Sequence, residues 1–266
     1  MIIVGDSRVE LKKISQPVQA VITSPPYWDL RDYEVDGQLG YGQGLDAYIN
    51  DLVDILDSSK ACLKPEGSLW VNLGDKYQEG NLVGLPYLVA FGLKAKGWIM
   101  RQSIVWAKSN PMPESVKNRC TRSYEQFFHF TRQMDYYYDN EAIKEPAKWF
   151  GKDRRSGKGR YAYSSKFTGH KSNAQQAFVV VNKMRNKRDV WTIATKPYKG
   201  AHYAVMPEDL IKPAILATSK EGDLIVDPFA GSGTVGIVAK LLKRPFIGIE
   251  LNKDYARLAE SRLNGN

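Results

Sequence analysis

The stretch "GDLIVDPFAGSGTVGIVAKLLKRPFIGIELN", from Gly222 to Asn252, decides the fold. Its first apolar run is typical of a buried strand and ends at Asp227. A glycine-rich turn and an apolar helix follow, and a second strand ends at Glu250. Glycines at a helix N-terminus let a ligand approach the backbone, and a carboxylate after the second strand can accept hydrogen bonds from ribose hydroxyls. The stretch therefore predicts a βαβ unit that binds a nucleotide-like ligand.

The glycine pattern fits two classes of ligand. Gly231, Gly233 and Gly236 match the pattern GxGxxG. Glu250 follows the first of these glycines by 19 residues, which is the spacing of dinucleotide-binding units. Asp227, however, would confront a pyrophosphate, whereas it suits a ligand with a cationic end. The stretch thus favours S-adenosylmethionine, and a dinucleotide-dependent oxidoreductase stays the remote alternative.

Strand-like and helix-like patterns alternate through much of the chain, which predicts an α/β fold with a doubly wound, mostly parallel sheet and helices on both faces. We expect strands at Met1–Val4, Val18–Thr23, Ser68–Leu73, Ile99–Trp106, Gln126–Thr131, Leu224–Val226 and Phe246–Ile249, and helices at Leu45–Leu63, Val83–Lys96, Glu208–Thr218, Thr234–Leu242 and Lys253–Leu263. The N-terminal strand, which ends before Asp6, would supply the third strand of the nucleotide-binding half. The next strand would end at Ser24. Asp6, Ser24, Asp227 and Glu250 would then all face one crevice, where Asp6 could accept a hydrogen bond from an adenine amino group.

A second motif, "TSPPYW" from Thr23 to Trp28, stands where the strand "AVIT" ends. An exocyclic amine is a poor nucleophile because its lone pair is delocalised into the ring, so a catalyst must hold the nitrogen in a reactive orientation. The Ser24 hydroxyl and the Pro25 carbonyl can accept its two N–H groups, and the prolines restrict the backbone around them. Tyr27 is placed to stack on a base, and Trp28 either contacts DNA or packs on the following loop.

The positive charge of the chain is concentrated in one segment. The chain has a net charge of +9, and residues 151–200 hold 13 Lys and Arg against 2 Asp and Glu. This density suits binding to several phosphates, although a solvated surface is the simpler alternative. We expect an inserted basic target-recognition region at residues 132–197, between a catalytic half at residues 1–131 and a cofactor-binding half at residues 198–266. Its candidate DNA contacts are Arg154, Arg155, Arg160, Lys166, Arg185 and Arg188.

Composition argues against several other classes of protein. No run of about 18 apolar residues occurs and the N-terminus lacks the zones of a signal peptide, so we expect a cytoplasmic protein without a membrane anchor. Cys62 and Cys120 have no metal-binding or disulfide spacing, and His129, His170 and His202 are scattered. No metal site is predicted.

The motifs together resemble those of a known family. "GDS" at the front, then "TSPPYW" and "DPFAGSG", resemble the amino-methyltransferases of DNA in their permuted β-class order, and the serine of "SPPY" resembles the N4-cytosine enzymes. The segments "LKPEGSLWVNLGD", "RSYEQFFHFTR" and "AHYAVMPEDLIKPAI" are also similar to family segments, so the resemblance covers nearly the whole chain. It implies a circularly permuted, Rossmann-like methyltransferase fold with S-adenosyl-L-methionine as cofactor. The methyl group would go to N4 of a flipped cytosine in double-stranded DNA, as in restriction–modification systems. Whether a cognate restriction endonuclease is a partner stays open on the sequence alone.

The resemblance also implies the site residues. The cofactor residues would be Asp6, Ser7, Thr23, Pro207, Asp227, Phe229, Gly231, Ser232, Gly233, Thr234, Glu250, Leu251 and Asn252. The catalytic residues would be Ser24, Pro25, Pro26, Tyr27, Asn72 and Asp75, with the last two at the end of a strand that should lie beside "TSPPYW". Met206 departs from the family, because relatives often carry a lysine there. Groups near Ser232 and Thr234 would then replace the missing contact to the cofactor carboxylate.

Further alternatives stay open on the sequence alone. N6-adenine methylation uses the same fold, and aspartate in place of the "SPPY" serine is only a tendency of those enzymes. RNA could replace DNA as the substrate. A DNA-binding module without catalysis would explain the basic segment but would leave "TSPPYW" without a purpose. The sequence does not indicate the recognition site or the oligomeric state.

Overall fold

The computed structural model describes residues 1–147, 183–195 and 206–265. The strands are β1 (Ile2–Val4), β2 (Val18–Thr23), β3 (Leu63–Leu73), β4 (Tyr77–Gln78), β5 (Asn81–Leu82), β6 (Ile99–Lys108), β7 (Tyr124–Thr131), β8 (Glu145–Pro146), β9 (Met184–Arg185), β10 (Val190–Ile193), β11 (Leu224–Asp227) and β12 (Phe246–Glu250). The α-helices are α1 (Ser7–Glu10), α2 (Leu45–Ser58), α3 (Leu85–Ala95), α4 (Glu208–Thr218), α5 (Thr234–Leu241) and α6 (Lys253–Asn264). Of the predicted DNA contacts, Arg154, Arg155, Arg160 and Lys166 lie outside the described residues.

One eight-stranded sheet has the order β1-β12-β11-β2-β3-β7-β6-β10, and β7 is antiparallel to both of its neighbours. The other neighbouring strands run parallel. The predicted order around the glycine-rich stretch is therefore confirmed: the N-terminal strand lies beside the strand that ends at Glu250, and β2 lies on the other side of β11. The chain reverses its winding between β11 and β2, where doubly wound sheets bind ligands at the carboxyl ends of their strands.

Two hydrophobic layers cover the faces of this sheet. One contains Leu52 and Leu56 of α2 and Val89 and Leu93 of α3. The other contains side chains of α4, α5 and α6, and Trp70 of β3 is buried within it. The central strands are covered on both faces, and all six residues of β2 are buried, although Gln19 and Thr23 are polar.

Several element boundaries differ from the sequence-based prediction. The second helix ends at Ser58 and not at Leu63, because a short 3-10 turn follows and Leu63 already pairs with Val18 in the sheet. Strand β10 is absent from the predicted strands, yet it extends the main sheet through parallel pairing with β6. Its four residues are too short for a clear periodicity, so only the pairing reveals it.

The chain forms two compact units, residues 143–187 and the remainder of the described chain. In the smaller unit, β8 and β9 pair, and Arg185 forms an ion pair with Glu145 at 2.8 Å. The proposed insertion starts earlier, at residue 132, but Tyr137 and Asp139 donate backbone hydrogen bonds to Glu66 and Ala217 in the larger unit. The compact unit, residues 143–187, is accordingly shorter at both ends than the insertion at residues 132–197 that the sequence predicts.

Gly236 allows α5 to lie close to β12. A larger side chain at this position is therefore expected to destabilise the protein. A Cβ atom at this position would lie 2.5 Å from two ring atoms of Phe246 and 3.0 Å from a methyl group of Leu263. We expect Gly236→Ala to lower the free energy of unfolding by about 1–3 kcal/mol, measured by denaturant titration. Gly44→Ala is the comparison, since a Cβ atom added there would have no other atom within 4 Å, and as the N-cap of α2 this position should lose less than about 1 kcal/mol. Equal stability of both variants would contradict the prediction.

Candidate active site

A cavity opens at the carboxyl ends of β1, β2, β11 and β12, and most of the predicted site residues lie around it. From the predicted sets, the lining residues are Asp6, Ser7, Ser24, Pro25, Pro26, Tyr27, Asp227, Phe229, Gly231, Ser232, Thr234, Glu250, Leu251 and Asn252. The two motifs are about 200 residues apart in sequence, and the sheet order brings them to one cavity. A single site thus contains both the glycine-rich turn and the "SPPY" loop.

Glu250 is held in a fixed orientation by the backbone around it. Its Oε2 accepts from Gly231 N–H at 2.8 Å and its Oε1 accepts from Asn252 N–H at 2.9 Å. Burial raises the pKa of this carboxyl, while these backbone hydrogen bonds and one from Leu251 oppose the rise. Each oxygen keeps a further lone pair, so the carboxylate can also accept hydrogen bonds from a diol such as ribose.

Asp227 is a buried carboxyl at the end of β11. Its Oδ1 accepts from the Thr23 hydroxyl at 2.6 Å and from Phe229 N–H at 3.0 Å. Burial raises the pKa of Asp227 to about 7, and the charge of nearby Glu250 adds to the rise, although the two hydrogen bonds oppose it. A cation in the cavity would favour the ionised form of this group.

Asp6 lies after β1 and caps α1. Its carboxylate accepts from Arg8 N–H at 2.8 Å and forms an ion pair with the Arg8 guanidinium at 2.6 Å. Burial raises the pKa of Asp6, but the hydrogen bonds and charge of Arg8 outweigh this effect and leave the pKa below its ordinary value. Asp6 is therefore an ionised acceptor on the rim of the cavity.

Three predicted cofactor residues do not line the cavity, and the structure gives each another role. Thr23 is fully buried and acts on the site through its hydrogen bond to Asp227. Gly233 has a φ of 77°, and a Cβ there would lie 2.9 Å from that of Ala259, so this glycine permits close packing of α5 on α6. Pro207 stands at the N-cap position of α4. Direct contact of these three with a ligand in the cavity is not supported.

Met206, the departure from the family pattern, does line the cavity and is 7% exposed. It presents a thioether where a lysine would present a charge. Ser232 and Thr234 also line the cavity, with their hydroxyl oxygens 3.5 Å apart. Their position agrees with the expectation that hydroxyl groups of this turn bind the polar tail of a ligand.

The hydroxyl of Tyr27 belongs to a buried polar cluster. It donates to Glu125 Oε2 at 2.6 Å and accepts from Asn72 Nδ2 at 3.2 Å. The ring lies against the backbone of Gly74, where an added Cβ would approach it to 2.8 Å. Asn72, from the end of β3, thus lies beside the "SPPY" loop as predicted.

Two other predicted residues have structural contacts. Trp28 is 7% exposed, its indole N–H donates to Gln43 O at 2.7 Å, and Lys76 Nζ lies 4.5 Å from its ring centroid. The ring therefore packs on the following loop, which is one of the two roles that the sequence allowed for Trp28, and contact with DNA stays a prediction. The Asp75 carboxylate accepts from Gly84 N–H at 3.0 Å and Leu85 N–H at 3.1 Å, so it caps the start of α3. We do not retain it as a catalytic candidate.

Sequence reasoning missed part of the site. The loop after "TSPPYW" contributes Tyr33 and Leu39 to the lining, and Tyr255 of α6 contacts Tyr33 edge to face at 6.1 Å. Glu125 was also missed. In the sequence, Glu125 is marked only as a single acidic residue directly before the apolar run "QFFHF".

The charged side chains that line the cavity indicate which class of ligand fits it. The acidic lining residues are Asp6, Asp227 and Glu250, and the basic ones are Arg8 and Arg31. Arg8 is neutralised by Asp6. A pyrophosphate would face Asp227 and Glu250, whereas the cationic end of S-adenosyl-L-methionine suits Asp227 and its ribose hydroxyls suit Glu250. The dinucleotide alternative therefore loses its support.

The sheet order, with the carboxylates and the "SPPY" loop on one cavity, defines the class of S-adenosyl-L-methionine-dependent methyltransferases. The sequence matches the DNA methylase family over residues 18–261, and the chain belongs to this family. It is 39% identical to the type II methyltransferase M.Cfr9I of Citrobacter freundii, covering 98% of this chain and 86% of the relative. It is 37% identical to M.SmaI of Serratia marcescens, covering 98% and 90%.

Solved structures show the same fold. The PvuII DNA methyltransferase (cytosine-N4-specific) superposes with a TM-score of 0.71 at 19% identity, covering 98% of this chain and 85% of that chain. The complex of M1.HpyAVI with S-adenosyl-L-methionine gives a TM-score of 0.62 at 21% identity, covering 99% and 98%. Within the part of this chain that the structure describes, no helix is long and apolar enough to cross a membrane.

Proposed function

We propose that this enzyme methylates the exocyclic N4 amino group of a cytosine flipped out of duplex DNA, as the methyltransferase of a type II restriction–modification system. The observation that carries the proposal is the position of Ser24 and Pro25 on the same cavity as Asp227 and Glu250. The relatives named as type II methyltransferases and the cytosine-N4-specific PvuII enzyme support it.

The cofactor residues act by orientation and charge. Bound in this cavity, S-adenosyl-L-methionine supplies an electrophilic methyl group. Glu250, held by backbone N–H groups, would accept from the ribose hydroxyls, and Asp6 would accept from the adenine amino group. Asp227 would face the cationic end. Ser7, Phe229, Leu251 and Asn252 complete the lining around these groups.

The residues of the "SPPY" loop would bind the target base. The Ser24 hydroxyl and the Pro25 carbonyl would accept the two N–H groups of the amine, which leaves its lone pair free to attack the methyl carbon. Pro26 restricts the loop, and the ring of Tyr27 would replace part of the stacking that the base loses when it leaves the duplex. Asn72 would contribute from the adjacent strand end.

Phosphate contacts are proposed for the basic residues. Arg188 is exposed in the larger unit, and Arg185 is paired with Glu145 in the smaller one. Arg154, Arg155, Arg160 and Lys166 stay candidates from the sequence. These contacts would position the enzyme on double-stranded DNA, while base specificity needs contacts to base edges.

Labelled methyl transfer tests the proposed reaction. We expect label from S-adenosyl-L-methionine to enter unmodified genomic DNA, and nucleoside mass spectrometry to identify N4-methylcytosine. N6-methyladenine would instead establish the nearest alternative, and label in RNA but not DNA would reject the proposed substrate. No transfer to DNA from several unmodified sources would overturn the proposal. Sequencing that reports modified bases would give the recognition site.

A further inference from the structure

Helix α6 packs against the glycine-rich turn and contributes a cation to it. A Cβ atom at Gly233 would lie 2.9 Å from that of Ala259, so α6 passes directly beside the turn. One helical turn further along, Arg262 is half-buried. Its Nη1 donates to the Ser232 carbonyl oxygen at 2.5 Å and to the Thr234 hydroxyl at 3.4 Å. Because Gly233 is the N-cap of α5, the Ser232 carbonyl lies before the helical hydrogen bonds, and Arg262 supplies its partner.

The two hydroxyl groups of this turn leave one hydrogen for a ligand. Ser232 and Thr234 both line the cavity, and their oxygens are 3.5 Å apart. A guanidinium group has no acceptor, so the hydrogen of the Thr234 hydroxyl points away from Arg262. Whichever hydroxyl donates within the pair, the other keeps its hydrogen for a ligand. The pair therefore presents a donor to the cavity.

The start of α5 also favours an anion beside these hydroxyl groups. Thr234 and Val235 are the first residues of α5, and both line the cavity. The backbone N–H groups of a first helical turn have no partner within the helix and add partial positive charge. Met206, which departs from the family pattern, presents an uncharged thioether to the same cavity. The anionic group of S-adenosyl-L-methionine is the carboxylate of its amino-acid tail, and the turn suits this group.

We propose that Arg262 is a positioning residue for the cofactor, because it anchors the Ser232 carbonyl and orients the Thr234 hydroxyl so that the hydroxyl pair donates to the carboxylate of the tail. Arg262 does not line the cavity and acts through these two residues. A hydroxyl that accepts from a cation is also a stronger donor. The inference rests on the proposed placement of the cofactor but not on which base is methylated.

Two ligands that differ only in the carboxylate test this role without DNA. They are S-adenosyl-L-homocysteine and its decarboxylated analogue, and calorimetry measures the affinity of each. We expect Arg262→Met to weaken binding of S-adenosyl-L-homocysteine about 10-fold and binding of the analogue less than about 2-fold, because the analogue lacks the group that the hydroxyl pair holds. Arg257→Met, the same substitution at an exposed residue of α6 that pairs with Asp254, is the matched control and should change neither affinity.

Further variants test the path from Arg262 to the ligand. Thr234→Val removes the hydroxyl at similar volume and should weaken binding of S-adenosyl-L-homocysteine about 3- to 10-fold. Because Arg262 acts partly through this hydroxyl, the double variant should bind within about 3-fold of Arg262→Met. Both hydrogen bonds come from one nitrogen, so Arg262→Lys, with three donors on one nitrogen, should stay within about 3-fold of the wild type. Arg262→Gln replaces Arg262→Met if that variant does not fold.

Equal losses for the two ligands in a folded Arg262→Met variant would overturn the inference, since they would show that Arg262 supports only the shape of the turn. Wild-type affinity of that variant for both ligands, or losses that multiply in the double variant, would also overturn it. Failure of the proposed function has different signatures. A product other than N4-methylcytosine leaves these affinities unchanged. Wrong placement of the cofactor would appear as wild-type affinity of Glu250→Gln for both ligands, since both contain ribose.

Discussion

Ser24→Ala is expected to lower the single-turnover rate of methyl transfer about 100-fold or more and to leave the affinity for S-adenosyl-L-methionine nearly unchanged. The hydroxyl lies on the cavity shared with the cofactor carboxylates and would hold one N–H of the amine. Removal of one well-oriented polar group that stabilises a transition state typically costs about 10²- to 10³-fold in rate. Rapid-quench measurement of labelled methyl transfer, with calorimetry for cofactor binding, would check both parts.

A matched serine provides the control for this variant. The Ser58 hydroxyl donates to Ile55 O at 2.6 Å at the end of α2, and this residue is not part of the cavity lining. Ser58→Ala should therefore keep the wild-type rate. Equal losses of rate and cofactor affinity in Ser24→Ala would show that Ser24 belongs to the cofactor site and not to the base site.

The second large effect concerns pH and Asp227, whose pKa is raised from 3.8 to about 7. Because the folded state binds this proton more tightly, the group contributes stability that is complete below about pH 3.8 and is lost as the pH rises through about 7. At 1.36 kcal/mol per pKa unit, the loss reaches about 4 kcal/mol. Asp227→Asn cannot titrate, so ligand-free enzyme carrying it should be up to about 4 kcal/mol more stable than the wild type at pH 8.

Asp227 should also make cofactor binding depend on pH. A cationic ligand end favours the ionised carboxylate, so the wild type should bind S-adenosyl-L-methionine about 10-fold more weakly at pH 6 than at pH 8 and release a proton on binding at pH 6. Calorimetry in two buffers with different ionisation enthalpies measures both quantities. The Asp227→Asn variant should bind more weakly at pH 8 and show little pH dependence. The same affinity of the wild type at both values would contradict this placement of the ligand.

Much of the site could be predicted because its residues follow strands directly. Asp6, Ser24, Asp227 and Glu250 each stand at or just after the end of a buried apolar run, and parallel strands bring such positions together. The positions of the motifs after these strands therefore predicted which residues meet at the cavity. The strand order followed because the cofactor-binding stretch, residues 222–252, comes last in the chain.

The features of the site that the sequence did not predict depend on contacts between segments that are distant along the chain. Glu125 precedes an apolar run, and its partners come from three other segments, so only the register of β7 with β3 and β6 reveals the cluster. Trp28 follows two prolines, a position that suggests an accessible ring, but the following loop covers it and accepts from its indole N–H. The motif suggests ligand contact for Thr23, although a buried hydroxyl beside a carboxyl acts on the ligand only indirectly.

The place of β1 at the edge of the sheet bears on how the enzyme is made. β1 pairs with β12, and the Met1 amino group donates to Phe246 O, 245 residues further along the chain. A growing polypeptide therefore cannot complete the strand pair that precedes Asp6 until β12 has left the ribosome, and such distant pairings form slowly. Nascent enzyme should be unable to bind its methyl donor, and activity should begin only when translation has passed Glu250.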